Sequence, residues 1–107
     1  MALKWPTKDP DSKGSYSIDW SRFLDTDTIG TVTWYIDDSD GTKTEVSNLQ
    51  TVNGLTFVGG SRTNTVATAV FEAGTVNTVY DITCKITYST DPVLEEERTI
   101  KLPVRER

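Results

Sequence analysis

The stretch that decides the fold is Tyr80-Asp81-Ile82-Thr83-Cys84-Lys85-Ile86-Thr87-Tyr88. Its even positions carry aromatic, aliphatic or thiol side chains, and its odd positions carry polar or charged ones. Alternation with a period of two is typical of a β-strand that presents one face to a hydrophobic core and the other to water. The stretch therefore predicts a strand whose even-numbered side chains are buried.

A second alternating segment, residues 29–37, supplies a tryptophan. Val32 and Trp34 share one face of this predicted strand, and Tyr35 lies on the other. A tryptophan strand followed about fifty residues later by a Tyr-x-x-x-Cys strand suggests an immunoglobulin-like sandwich of two antiparallel sheets. Other short alternating segments bring the expected total to about seven to eight strands. The sequence thus predicts an all-β fold, a single immunoglobulin-like β-sandwich domain that spans residues 1–107.

Glycine and proline mark the expected connections between strands. Residues 6–14 contain two prolines and a glycine, which predicts a loop before the first strand. Asn53-Gly54 predicts a tight hairpin, and residues 59–61 (Gly-Gly-Ser) predict a flexible link. Residues 92–99 contain a run of glutamates and are expected to form a charged connection. Pro103 has no N–H to donate to a ladder, so the last strand should lie at a sheet edge or end there.

Composition and charge exclude several classes of function. The chain has 107 residues, a net charge of −5 at pH 7, and eleven Lys and Arg residues that are scattered along it. Nucleic-acid binding depends on clustered basic side chains, so it is not expected. No apolar run reaches the roughly 18 residues that a membrane-spanning helix needs, and the N-terminus lacks the apolar centre of a signal peptide. We therefore expect no nucleic acid and no membrane as a partner, and synthesis in the cytoplasm.

The residue types that usually carry catalysis are scarce. Histidine, the commonest general base and metal ligand, is absent from the sequence. The single cysteine, Cys84, falls on the inward face of the predicted core strand, where desolvation leaves a thiol unreactive. No nucleophile elbow, P-loop or dinucleotide-binding fingerprint occurs. We expect neither enzymatic activity nor a cofactor.

Aspartates in two predicted turns leave a calcium site open as an alternative. Residues 25–27 contain two of them, and Asp37, Asp38 and Asp40 surround the next predicted hairpin. Calcium takes roughly six to eight oxygen ligands, often from carboxylates, but the spacing here does not match an EF-hand loop. Aspartate is also a common turn residue, because its side chain bonds its own backbone. The turn interpretation is favoured, and no metal ligand is assigned.

Aromatic side chains and strand edges provide the candidate contact residues. Trp34 and Tyr80 are predicted to lie in the core, with Tyr80 forming a tyrosine-corner hydrogen bond at the start of its strand. The three aromatic residues among residues 1–20 either close the open side of the sandwich or dock on a partner. Tyr35 faces outward, and the C-terminal strand is expected to offer unpaired backbone groups. The N-terminal segment 1–14 is therefore a candidate contact region, and the individual interface candidates are Trp5, Tyr35, Ile100, Leu102 and Val104.

Several short motifs follow one another along nearly the whole chain. They are Lys8-Asp9-Pro10-Asp11, Tyr16-Ser17-Ile18-Asp19-Trp20-Ser21, Asp27-Thr28-Ile29, Gly59-Gly60, Gly74, Tyr80-Asp81-Ile82-Thr83, and a last strand from Arg98-Thr99-Ile100 to Val104-Arg105. Their order resembles that in small virion proteins of tailed bacteriophages. The resemblance implies a structural component of the particle, of the fibre, head-decoration or neck type, that is made in the host cytoplasm.

The resemblance also implies how such a protein would work. It would act without catalysis, by self-association into a homo-oligomer and by docking on the capsid, neck or tail, with phage structural proteins as partners. The alternative is an immunoglobulin-like module that binds carbohydrate or a surface. In that function an outward aromatic residue such as Tyr35 would serve as the platform for a sugar.

Overall fold

The computed structural model describes residues 3–37, 42–90 and 94–106, which form nine strands and one helix of a single turn. None of these described residues belongs to a helix with the length and apolar character needed to cross a membrane. The elements are β1 Leu3–Lys4, β2 Lys13–Asp19, α1 Ser21–Leu24, β3 Ile29–Asp37, β4 Lys43–Glu45, β5 Gln50–Val52, β6 Leu55–Arg62, β7 Val66–Ala73, β8 Thr78–Tyr88 and β9 Glu95–Val104.

The strands form two sheets, which confirms the predicted all-β sandwich. The five-stranded sheet has the order β1-β9-β8-β3-β4, and the four-stranded sheet has the order β2-β7-β6-β5. The ladders are antiparallel except for β1, which runs parallel to β9. The tryptophan strand β3 and the cysteine strand β8 are neighbours in the five-stranded sheet.

The core is built by the two alternating segments that the sequence singles out. Trp34 of β3 lies directly opposite Cys84 of β8, and both side chains are buried. The four-stranded sheet contributes Phe57 and Phe71, whose ring centroids are 5.8 Å apart. Trp5 joins this cluster, with its ring centroid 6.5 Å from that of Trp34. The predicted core positions of Trp34, Tyr80 and Cys84 are confirmed.

The predicted tyrosine corner is present and ties two turns together. The hydroxyl of Tyr80 accepts a hydrogen bond from the backbone N–H of Thr75 (2.8 Å) and donates one to the carbonyl of Asn53 (2.7 Å). Asn53 and Gly54 form the predicted hairpin between β5 and β6, both with positive φ (49° and 87°). A Cβ on Gly54 would lie 2.5 Å from Oγ1 of Thr75, so the position is restricted to glycine by space as well as by φ.

The predicted flexible link at residues 59–61 is wrong, because these residues lie within β6 and pair with β7. The register shifts between Phe57 and Gly59, which marks a bulge. A Cβ on Gly60 would lie 3.1 Å from Nε1 of Trp34 and 3.3 Å from the ring of Phe57. Gly60 is therefore needed so that the strand can approach the core tryptophan closely, and it does not act as a hinge.

The predicted charged connection at residues 92–99 is also wrong for its described part from Glu95 onward, which begins β9. Glu95 and Glu97 lie on the solvent-facing side of the five-stranded sheet, where lysines of other strands approach them. Glu95 lies 3.4 Å from Nζ of Lys85, and Glu97 lies 2.9 Å from Nζ of Lys43. A run of like charges is tolerated in a strand here because Glu95 and Glu97 each form an ion pair with a lysine of another strand of the same sheet.

The turn that follows helix α1 is organised by Asp27. Its Oδ1 accepts hydrogen bonds from the backbone N–H of Thr28 (2.7 Å) and the hydroxyl of Ser89 (2.9 Å). Its Oδ2 accepts one from the hydroxyl of Thr90 (2.6 Å). These bonds, with that from Thr90 the largest effect, hold the pKa of Asp27 below its ordinary value. The carboxylate thus joins the start of β3 to the end of β8, which is a structural role.

Replacing Asp27 by asparagine should lower the melting temperature at pH 7, and the loss should be smaller near pH 3. Because the folded pKa is lowered, the charged carboxylate stabilises the fold above its unfolded pKa of about 3.9, and this contribution is lost as the pH falls through the folded value. Melting curves of wild type and Asp27→Asn at both pH values measure the effect.

The matched control for this change is Asp25→Asn, which removes a charge from a carboxylate that accepts none of the hydrogen bonds found in the described part of the chain. Its melting temperature at pH 7 should stay close to that of the wild type. A difference between Asp27→Asn and wild type that persists unchanged at pH 3 would contradict the role of the charge.

Candidate interaction surface

The N-terminal segment closes one side of the sandwich. The backbone N–H of Trp5 donates to the carbonyl of Lys101 (2.9 Å), and its indole Nε1 donates to the carbonyl of Ser17 in β2 (3.3 Å). One residue thereby bridges the five-stranded and four-stranded sheets. Its side chain is buried, with ring contacts to Tyr16 and Phe71. The structure therefore favours the closing role over a docking role for the aromatic residues of this segment.

A buried lysine, which the sequence did not single out for chemistry, fixes the same segment. Lys8 is only 1% exposed, and its Nζ donates to three backbone carbonyls, those of Asp9 (2.9 Å), Ser12 (2.5 Å) and Ala73 (2.7 Å). Desolvation lowers the pKa of Lys8, and the charges of nearby acids, with Asp9 the strongest, oppose this only in part. The ammonium group is committed to the fold, because all three of its N–H donors have partners.

Over residues 100–104 the C-terminal strand is not an open edge. Residues Leu3 and Lys4 pair with its middle, and the N–H of Lys8 donates to the carbonyl of Pro103 (2.8 Å). Since the N and O atoms of one strand residue point to the same side, the missing N–H of Pro103 faces the N-terminal segment. The prediction of an edge is therefore wrong for residues 100–104, whereas the prediction that the strand ends at Pro103 holds to within one residue.

The apolar interface candidates of this strand point inward. Ile100, Leu102 and Val104 are buried in the core of the chain itself. Their role at an interface stays a prediction, but their side chains are already covered within one copy. Any contact made by β9 would use its outward residues, such as Glu97 and Thr99.

Tyr35 lies on the outer face of the five-stranded sheet, as its phase predicts. It is half-buried, and Nζ of Lys43 lies 5.3 Å from the centre of its ring. It stands opposite Thr83, which is buried although its odd position predicts exposure to water. The hydroxyl of Thr83 bonds that of Thr99 (2.8 Å), so this outer face has a small polar cluster of its own.

The side of the sandwich away from the N-terminal segment, which we call the open side, is formed by β4 and β5. In the described part of the chain each of these three-residue strands is the last strand of its sheet. Next to these short strands lies a groove of about 340 Å³, lined by residues of β3, of β6 and of the segment from Glu45 to Asn48. Trp34, Val46 and Phe57 contribute its apolar wall, and Glu45 and Arg62 stand on its rim with opposite charges.

The exposed Leu49 lies in the loop between the two edge strands. Its side chain is 71% exposed and its φ is 64°, which is uncommon for a residue with a Cβ. Two hydrogen bonds hold this loop: the N–H of Leu49 donates to the carbonyl of Phe57 (2.7 Å), and the N–H of Gln50 donates to that of Ser47 (3.1 Å). The apolar side chain is thus held toward solvent by a fixed backbone.

The cysteine and the aspartates that the sequence analysis considered for chemistry lie in different surroundings. Burial raises the pKa of Cys84 to about 12, and an interaction with Trp20 opposes this only in part. The buried indole N–H of Trp20 has no hydrogen-bond acceptor among the described residues. Asp37 ends β3, whereas Asp38 and Asp40 lie outside the described residues, so calcium binding there stays untested. Among the residues that are described, no three acidic or thiol side chains cluster as a metal site would require.

These features define a class of protein. The buried polar side chains Lys8 and Tyr80 hold the chain's own backbone, while the described surface includes strand edges, a groove and the exposed Leu49. The chain is a small two-sheet β-sandwich with short edge strands on one side.

Comparison with known protein families shows which family the chain belongs to. The model of the family Gp77, described as podophage GP4 fiber-tail adaptor protein gp77, matches residues 8–103. The chain belongs to this family. It is thus a structural protein of a phage particle, as its motifs predicted. A search of curated proteins found no match.

Proposed function

We propose that the chain is a non-enzymatic adaptor of a podophage virion that connects a tail fibre to the tail. The family match, which covers all strands except β1 and the last residue of β9, is the observation that carries this proposal. It favours the tail over the head-decoration and neck positions that the motifs alone left open. The protein would be made in the host cytoplasm and incorporated during assembly.

The use of the polar groups supports a role without catalysis. The thiol of Cys84 is buried, with a pKa of about 12, so it is protonated and inaccessible at neutral pH. The buried ammonium group of Lys8 is occupied by three carbonyls. Asp27 is occupied by turn hydrogen bonds. The groups that could be reactive in other settings therefore stabilise the fold.

The proposed mode of action is contact with other phage structural proteins and with copies of the same chain, through the open side. Its edge strands present backbone N–H and C=O groups that a neighbouring chain can pair with. The opposite side is covered by the N-terminal segment, which makes it the weaker candidate. The net charge of −5 and the pairing of four lysines with acids support protein partners rather than nucleic acid.

The carbohydrate-binding alternative is not developed further. A sugar platform needs an accessible aromatic face, and the ring of Tyr35 is half-buried with the Lys43 ammonium group above it. Tyr35→Ala would nevertheless separate the two functions, since it should abolish a signal on a glycan array but leave assembly of particles unaffected.

The proposed function is tested by assembling particles without the chain. In the phage that encodes it, an early stop codon in the gene should yield particles with filled heads and tails that lack fibres, as counted by negative-stain electron microscopy. Adding the purified chain and purified fibres to these particles should restore infectivity. Fibres present in normal number on particles shown by mass spectrometry to lack the chain would overturn the proposal.

A further inference from the structure

The free edge of β4 has a backbone pattern that can be worked out from its ladder with β3. The N–H of Val46 donates to the carbonyl of Trp34 (3.0 Å), and the register pairs Thr44 with Ile36. In an antiparallel ladder, hydrogen-bonded and non-hydrogen-bonded pairs alternate. The backbone groups of Thr44 therefore face β3, and those of its neighbours Lys43 and Glu45 face away from it.

The side chains of this edge are complementary to a second copy of the same edge. Lys43 and Glu45 lie on the outer face of the sheet, one on each side of Thr44. If two copies of β4 run antiparallel with Thr44 opposite Thr44, each Lys43 stands opposite the Glu45 of the other copy. The backbone N–H and C=O groups of Lys43 and Glu45 face away from β3. This register therefore allows four backbone hydrogen bonds, formed by the same residues whose opposite charges meet.

We propose that two copies of the chain pair through β4 about a two-fold axis at Thr44, which joins their five-stranded sheets into one continuous sheet. This inference rests on the self-association included in the proposed function and names the surface that carries it. The contact is isologous, because the same three residues act on both sides. The Lys43 ammonium group, which lies 2.9 Å from Glu97 in the single chain, would exchange that partner for Glu45 of the second copy.

The order of the charged side chains on β4 determines whether this edge favours or prevents pairing with a second strand. Charged residues usually protect an edge strand, because a neighbouring strand brings like charge against them. Here the order Lys-Thr-Glu brings unlike charges together in the antiparallel register only. The centre of β5 is a threonine flanked by Gln50 and Val52, which offers no such complementarity, and the edge of β2 already accepts the indole N–H of Trp5.

Charge reversal tests the register. Light scattering after size exclusion, over a concentration series, should show a dimer for the wild type. Lys43→Glu or Glu45→Lys alone should weaken the dimer by at least about tenfold, because like charges then meet at both symmetry-related pairs. The double variant Lys43→Glu/Glu45→Lys should restore it. Lys85→Glu is the matched control, since it breaks a pair with Glu95 on the same face but away from the edge.

A cysteine at the axis tests the geometry independently of charge. In the proposed pairing the two Thr44 residues form a non-hydrogen-bonded pair, with Cα atoms about 4.5 Å apart, which a disulfide can span. Thr44→Cys should therefore form a covalent dimer under mild oxidation. Thr51→Cys, at the centre of β5, should not, and neither should the wild type, whose Cys84 is buried.

The outcomes separate the possibilities. A dimer in which the double charge reversal fails to rescue and Thr44→Cys does not cross-link would place self-association on another face and overturn this inference. A monomer at every concentration would overturn the inference together with the proposed self-association. Neither result would change the count of fibres on particles that lack the chain, which tests the adaptor role separately.

Discussion

Replacing Trp34 by alanine should lower the free energy of unfolding by about 3–5 kcal/mol, the cost of removing a large buried side chain. Trp34 is 4% exposed, lies between Cys84 in its own sheet and Phe57 and Gly60 in the other, and contacts Trp5. No neighbouring element can fill the space without moving one of the two sheets. Chemical denaturation followed by circular dichroism measures the change.

The neighbouring Tyr35→Ala is the control for this prediction. It removes an aromatic ring from the same strand, but from the outer face, where the ring is half-buried beneath Lys43. We expect a loss of about 1 kcal/mol or less. Equal losses for the two variants would show that the phase assigned to β3 is wrong.

Replacing Tyr80 by phenylalanine should lower the free energy of unfolding by about 1–3 kcal/mol, although only one oxygen atom is removed. The Tyr80 hydroxyl accepts from Thr75 and donates to Asn53, and the side chain is 1% exposed. Without it, the N–H of Thr75 and the carbonyl of Asn53 lose a partner at a place that is partly shielded from water. The loss should be measured by the same denaturation experiment.

Tyr88→Phe is the matched control for the tyrosine corner. It removes a single hydrogen bond, from the hydroxyl to the carbonyl of Phe23 (2.9 Å), at the surface of the protein. A change within about 0.5 kcal/mol is expected, because water can replace the donor. If Tyr80→Phe were as mild as Tyr88→Phe, the corner would not be a stabilising feature of this sandwich.

The parts of the fold that follow from local alternation could be predicted from the sequence. The strands around Trp34 and Tyr80 alternate strictly, and Asn53-Gly54 has the conformational freedom that a two-residue hairpin requires. Gly60 could not be assigned in this way. A side chain at this position would collide with Trp34, which is far from Gly60 in the sequence.

The contact surface was predicted less well, because it depends on which strands meet. The inward phase of Ile100 and Leu102 is visible in the sequence, but the strand that pairs with the backbone edge of β9 is not. That strand has two residues at the other end of the chain and is too short to show any alternation. The role of Lys8 was missed for a similar reason, since one of its carbonyl partners, that of Ala73, comes from a distant turn.

The edge at β4 shows the reverse case, in which the sequence contains a signal whose meaning depends on the structure. The order Lys43-Thr44-Glu45 has a simple charge symmetry, with a cation and an anion on either side of a threonine. Only the ladder with β3 shows which backbone groups are free and that they belong to the two charged residues. Backbone phase and charge order together make the edge self-complementary.

A cryo-electron microscopy map of the tail of the phage that encodes the chain would show where the sandwich lies in the particle. We expect density for this two-sheet sandwich at the junction between tail and fibre, with contacts to both. Density for the sandwich on the surface of the head, or fibres joined to the tail with no such density between them, would contradict this expectation.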